Sequence, residues 1–103
     1  MEVWSKDQFK EIWVNSEDEQ SMCALINGEY GWLMYLKEEG DTGLTSRNPN
    51  YNGCDNKTMK FMLSNGQIDE YPMAWVLSVE LVNDALTYFE KTHQLPDFII
   101  WHK

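Results

Sequence analysis

The chain is poor in positive charge, in cysteine and histidine, and in long apolar runs. Its 103 residues include 8 Lys and Arg against 17 Asp and Glu, a formal net charge of −9. A surface of that sign repels phosphates, which argues against nucleic acid or an anionic membrane as a direct partner. It suits a basic protein instead. Acidity also keeps many cytosolic proteins soluble, so charge alone leaves both readings open. No apolar run approaches the roughly 20 residues that span a bilayer. Met1 to Trp13 carries Glu2, Asp7 and Glu11 with no apolar h-region after it, so no secretory signal is expected and the cytoplasm is the expected compartment.

The two cysteines, Cys23 and Cys54, stand 31 positions apart. Two cysteines in a reducing compartment do not make a disulfide framework. Cys23 lies in an apolar run and reads as a small buried hydrophobe; Cys54 follows Gly53 in a polar loop and reads as a free thiol. A zinc site would have to gather Cys23, Cys54, His93 and His102, and no close ligand pair such as C-x-x-C is present. No metal or cofactor is expected.

What the chain does have is apolar and aromatic content, 43% and 14%, with five Trp. That is too much for a disordered acidic tail and enough for one modest core, so residues 1–103 form a single domain. Ser5-Lys6-Asp7-Gln8 has the form of a capping box, and Phe9, Ile12 and Trp13 follow at helical spacing. This predicts a helix from about Lys6 to Val14. Glu17 to Gln20 is a polar link. Met22–Ile26 and Tyr30–Leu36 read as two strands around an Asn27-Gly28-Glu29 turn. The second is apolar on both faces, which predicts a central strand covered by helix on one side and by another element on the other. Lys37–Asp55 is a long polar loop with Leu44-Thr45-Ser46 as a short strand inside it. Lys57–Ser64 alternates, Asn65-Gly66 is a second hairpin signal, and Gln67–Tyr71 returns before Pro72. Ser78 caps a helix over Val79–Lys91 with Val82, Ala85, Leu86 and Phe89 on one face, and Phe98–Trp101 is a last strand. The expected fold is α+β, a largely antiparallel sheet built from hairpins with two helices packed on it.

Catalytic signals are weak. Asp41-Thr42-Gly43 repeats three letters of an aspartic-protease motif, but a turn explains it. Asp69 and Glu70 are neighbours in a strand and point to opposite faces. His93 falls at a helix end, where the dipole favours it, and His102 is near the terminus. The aromatics carry more information. Trp75 and Tyr71 beside Asp69 and Glu70 would form an acidic patch with an aromatic centre, to which Glu38, Glu39 and Asp41 add charge if they lie nearby. Arg47 and Tyr51 of the long loop complete the set of expected contacts. Aromatics and Arg anchor interfaces, and the acids steer a basic partner.

Several segments together resemble the first-named immunity-protein family (Imm family one) of bacterial polymorphic-toxin and contact-dependent growth inhibition systems. They are Gly31-Trp32-Leu33-Met34-Tyr35-Leu36, Glu39 through Pro49, Leu63-Ser64-Asn65-Gly66-Gln67 with Tyr71-Pro72, and Ala85-Leu86, Tyr88-Phe89, Thr92, Leu95-Pro96 and Ile100-Trp101. The resemblance spans about residue 25 to the C-terminus. Ser78 stands where the family often has proline, and Gln94 where glycine is common. The resemblance implies a small non-catalytic α+β cytosolic protein that binds the C-terminal toxin domain of a neighbouring gene's product and blocks it; a one-to-one complex is expected. Such toxins are often basic nucleases or deaminases. Two other classes are weighed against it: a small hydrolase using Asp41 and a histidine, and an acidic nucleic-acid mimic. The charge is spread, with nine acids and three bases in residues 1–40 and eight and five in residues 41–103. That spread, with the resemblance, favours a partner's requirement over solubility.

Overall fold

The structure, a computed structural model, describes residues 8–16, 19–38, 40–53 and 56–102. The elements are β1 (Phe9–Asn15), β2 (Ser21–Asn27), β3 (Tyr30–Leu36), β4 (Leu44–Arg47), β5 (Thr58–Met62), β6 (Ile68–Pro72), β7 (Leu77–Ser78), α1 (Val79–Thr92) and β8 (Ile100–His102). A main sheet runs β1-β2-β3-β4-β8 with β7 also on β3, and β5-β6 is a separate two-stranded hairpin. Every pairing is antiparallel.

The α+β class with a hairpin-built antiparallel sheet is as expected, but the described residues contain one α-helix and not two. The expected helix from Lys6 to Val14 is β1 from Phe9 onward, and Ser5 to Asp7 of its Ser5–Gln8 capping box lie outside the described residues. Phe9, Ile12 and Trp13 fit a helical stripe, but Ile12 and Val14 also share one face of a strand. Ile12, Trp13 and Val14 are β-branched or aromatic and suit a pleated surface. Seven residue pairs with β2, Phe9↔Asn27 through Asn15↔Ser21, decide the choice. Just past β1 the Ser16 N–H donates to the Gln20 carbonyl at 2.8 Å.

The β2–β3 hairpin has the expected turn. Gly28 takes φ 61° at the first of two loop positions, as a type II′ turn requires. The β5–β6 connection is longer than an Asn-Gly pair. The Gly66 N–H donates to the Leu63 carbonyl at 2.9 Å and the Leu63 N–H to the Gln67 carbonyl at 2.8 Å. This is a three-residue loop, closed by Gly66 at φ 90°.

β2 and β3 are covered on both faces, as the apolar reading of β3 required. Met22, Ala24, Ile26, Leu33 and Tyr35 pack with Val82, Ala85, Leu86 and Phe89 of α1. Cys23, Leu25 and Trp32 point the other way and pack with Phe61 and Val76. The covering element on that side is therefore the β5–β6 hairpin, with Met59, Leu63 and Tyr71 around Phe61. Glu11 ties β1 to the hairpin. Its carboxylate accepts from Trp13 Nε1 at 2.7 Å and from the Ser64 N–H at 3.1 Å. The Trp13 bond above all holds its pKa below the ordinary value.

The sequence placed α1 within a residue. Ser78 Oγ accepts from the Leu81 N–H at 3.3 Å, and His93 closes the other end at φ 57° with its N–H on the Phe89 carbonyl. The last strand starts two residues later than expected, at Ile100.

Candidate functional site

β4 and β8 extend the main sheet beyond the hairpin. On the hairpin side of that extension, Arg47 on β4 stands directly opposite Ile100 on β8. Continuing the Met34↔Thr45 register of β3 and β4 brings Trp32 beside Arg47. These three side chains form a row across the sheet, from the buried Trp32 to Ile100, which is 54% exposed at the edge.

A short 3-10 turn, Met73–Trp75, is fastened over this row. Three consecutive carbonyls are held by the end of β4. The Asn48 N–H donates to the Ala74 carbonyl at 2.7 Å, Ser46 Oγ to the Trp75 carbonyl at 2.9 Å, and Asn48 Nδ2 to the Val76 carbonyl at 3.1 Å. Ser46 is fully buried, and its oxygen also accepts from the Leu33 N–H at 3.1 Å. One hydroxyl thus joins β3, β4 and the turn. On its other side the turn is held by the Met73 N–H on the Lys57 carbonyl at 2.9 Å.

This anchoring places four side chains in a stack. Tyr71 lies flat on Trp32, with ring centres 4.2 Å apart and planes within 7°. Trp75 follows at 6.1 Å and 27°. The Arg47 guanidinium carbon sits 3.9 Å over the Trp75 ring as a cation–π cap. Arg47 Nη1 donates to Thr45 Oγ1 at 2.6 Å and to the Ser46 carbonyl at 2.9 Å, and burial lowers the pKa of its guanidinium. Trp32 is almost fully buried, and its indole N–H has no acceptor among the described residues. Tyr71, Trp75 and Arg47 are half-buried, so the outer end of the ladder meets solvent.

Asp69 lies one pleat from Tyr71 and on the same face. It accepts from Tyr71 Oη at 3.2 Å and from Gln67 Nε2 at 2.8 Å. Burial, and secondarily the Asp69 carboxylate, pushes the Tyr71 phenol up to about 12 from 10.0. The neutral phenol is the favoured form in the fold. Its contribution is therefore complete below the unfolded value near 10 and is lost as pH rises toward 12. An absorbance titration of the phenolates should show one tyrosine ionising well after the ordinary ones, and Tyr71→Phe should remove that late component. A late component unchanged by Tyr71→Phe would assign the shift to another ring.

Of the contacts expected from sequence, Arg47, Asp69, Tyr71 and Trp75 come together here. Glu70 points to the opposite face of the hairpin, where it accepts from Thr58 Oγ1 at 2.8 Å opposite Lys60. Tyr51 is half-buried in the loop after β4, with its N–H on the Asn48 carbonyl at 3.2 Å. Glu38 and Asp41 belong to a different place, the connection that follows Leu36. Asp41 accepts from the Lys37 N–H at 2.9 Å, and its own N–H donates to the Glu38 carbonyl at 3.2 Å. Leu36 is four residues from Trp32 along β3, roughly 13 Å at strand rise. The acidic turn therefore adds no charge beside the ladder. Glu39 lies outside the described residues. Sequence reasoning did not select Trp32, Ser46 or Ile100. Only Ile100 carried a usable signal, since it alternates with Ile99 and Trp101 and so faces away from the helix-side core.

Among the described residues no three His, Cys, Asp or Glu side chains gather as a metal site. Burial pushes the Cys23 thiol up to about 12, which leaves it a packed hydrophobe without thiolate chemistry. Cys54 lies outside the described residues. No helix among them is long and apolar enough to cross a membrane. Comparison of the chain with protein-family models, with characterised proteins and with solved structures finds no match in any of the three.

Proposed function

We propose that this protein is a non-catalytic immunity protein. It binds a basic toxin domain of nuclease or deaminase type in the cytoplasm and covers that domain's active or substrate-binding site in a one-to-one complex. The observation that supports this reading most is the solvent-facing end of the Trp32–Tyr71–Trp75–Arg47 ladder, flanked by Asp69 and Ile100, in a chain of net charge −9. Rigid aromatics beside Arg are the residues that dominate protein interfaces, because they bury much area for little lost rotamer freedom. The net charge of −9 on the whole chain raises the association rate of a basic partner and repels nucleic acid. The sequence resemblance from residue 25 onward supports the same class. Neither nucleic acid, membrane nor a cofactor has a part in it.

The test begins with the product of the adjacent upstream gene, expressed with and without this protein. Toxicity relieved by co-expression is the expected result, and an upstream product that is harmless, or equally toxic in both cases, overturns the reading. Within the complex, Trp75→Ala should weaken binding by about 30-fold or more, the scale of an interface anchor. Asp69→Lys should slow association and reduce its salt dependence, whereas Glu70→Lys, on the far face, should change it little. Equal effects at 69 and 70 would move the contact off the ladder.

A further inference from the structure

The other side of the molecule carries a second face with a different charge pattern. α1 turns Val82, Ala85, Leu86 and Phe89 inward. Its outer side presents Asp84, Thr87, Tyr88 and Lys91, and these line an open groove of about 430 Å³ with Phe98, from the segment between α1 and β8. Phe98 is 44% exposed, and its ring meets Tyr88 edge-on at 5.6 Å and 87°. An aromatic of that exposure gains by being covered.

Asp84 and Lys91 are seven residues apart, two helical turns, so they lie in one row with the aromatic pair between them. Neither forms an ion pair among the described residues. Glu80, one turn before Asp84, is a like charge at the unfavourable i,i+4 spacing. The row therefore reads acid, aromatic, base. A partner of uniform charge meets repulsion at one end of it. A surface with the same groups in reversed order sets opposite charges against Asp84 and Lys91, and a second copy run antiparallel supplies that surface. With a two-fold axis between Thr87 and Tyr88, Asp84 of each copy faces Lys91 of the other, and both Phe98 rings are enclosed at the centre. Such an interface is isologous, each contact occurring twice.

We propose that the protein forms a two-fold homodimer through α1 and Phe98. This face lies across the sheet from the Trp75 ladder, so dimerisation leaves the ladder open, and the proposal does not depend on what the ladder binds. The −9 on each copy makes the association weak, and the measurement belongs at high protein concentration in about 0.15 M salt, where long-range repulsion is screened.

Sedimentation velocity on the full chain over a concentration series tests it. A monomer–dimer equilibrium is expected, and Phe98→Asp should leave only monomer. Asp84→Lys and Lys91→Asp should each weaken the dimer by about tenfold or more, since each places like charges opposite one another twice. The double variant Asp84→Lys with Lys91→Asp should recover the dimer, and a mixture of the two single variants should form the heterodimer. All three positions are solvent-facing, and a thermal melt of each variant separates loss of fold from loss of association. A wild type that is monomeric at every concentration overturns the proposal. So does a dimer that Phe98→Asp leaves intact, or one that the double reversal fails to restore.

Discussion

Phe61→Ala should destabilise the protein by about 3–5 kcal/mol, the range for deleting a fully buried aromatic. Phe61 has no exposed surface and is the residue through which the β5–β6 hairpin enters the apolar cluster of Cys23, Leu25, Trp32 and Val76. Its ring also lies 6.2 Å from Tyr71. The hairpin has only two strands, and such an element is marginal unless something packs against it. Removing the ring leaves a cavity between hairpin and sheet, and the loss is about a fifth or more of the stability usual for a domain of this size. Urea unfolding followed by tryptophan fluorescence should show a lower midpoint with an unchanged slope. Near-ultraviolet circular dichroism should weaken as well, because the Tyr71 and Trp75 rings lose their fixed setting. A cost below about 1 kcal/mol would mean that the hairpin is not held to the sheet by this side chain.

Ser46→Ala should cost about 2–4 kcal/mol, a large effect for the loss of one oxygen. The methyl group fits the space, so no cavity forms. The cost arises because the Leu33 N–H and the Trp75 carbonyl both lose their partner at a site closed to water. A buried polar group left unpaired loses its hydration without compensation, at about 1–3 kcal/mol for each group. The Leu33 amide should exchange with solvent faster than its neighbours in β3, a measurement by nuclear magnetic resonance that separates this cause from general destabilisation. In addition, the turn that carries Trp75 should loosen, which changes tryptophan emission without unfolding. Unaltered exchange at Leu33 would remove Ser46 from its bridging role.

The parts of the fold that were legible in the sequence are those set by local rules. The β2–β3 turn requires a positive φ, which Gly28 adopts at no steric cost. α1 carries its own start at Ser78 and a four-residue apolar stripe that only a helix lines up on one face. β1 was not legible because Phe9, Ile12 and Trp13 satisfy a helical stripe nearly as well as a strand. The competing term is the seven-pair ladder with β2, and its partner lies beyond the turn in the chain. Pairing of that kind is a tertiary fact that no local window contains.

The candidate site divides along the same line. By itself the sequence determined the acidity of the chain, the aromatic residues near the end of β6, the one-sided helix and the opposition of Asp69 to Glu70. Each of these follows from composition or from a period of two or 3.6 residues. Tertiary structure alone decided that Arg47 caps Trp75 rather than meeting an acid, that Trp32 forms the base of the stack, and that Glu38 and Asp41 stand apart from it. Those outcomes depend on the register between β3, β4 and β8 and on the buried Ser46 hydroxyl that fixes the 3-10 turn over them. Register and burial are properties of segments far apart in the chain, and they exist only once those segments have met.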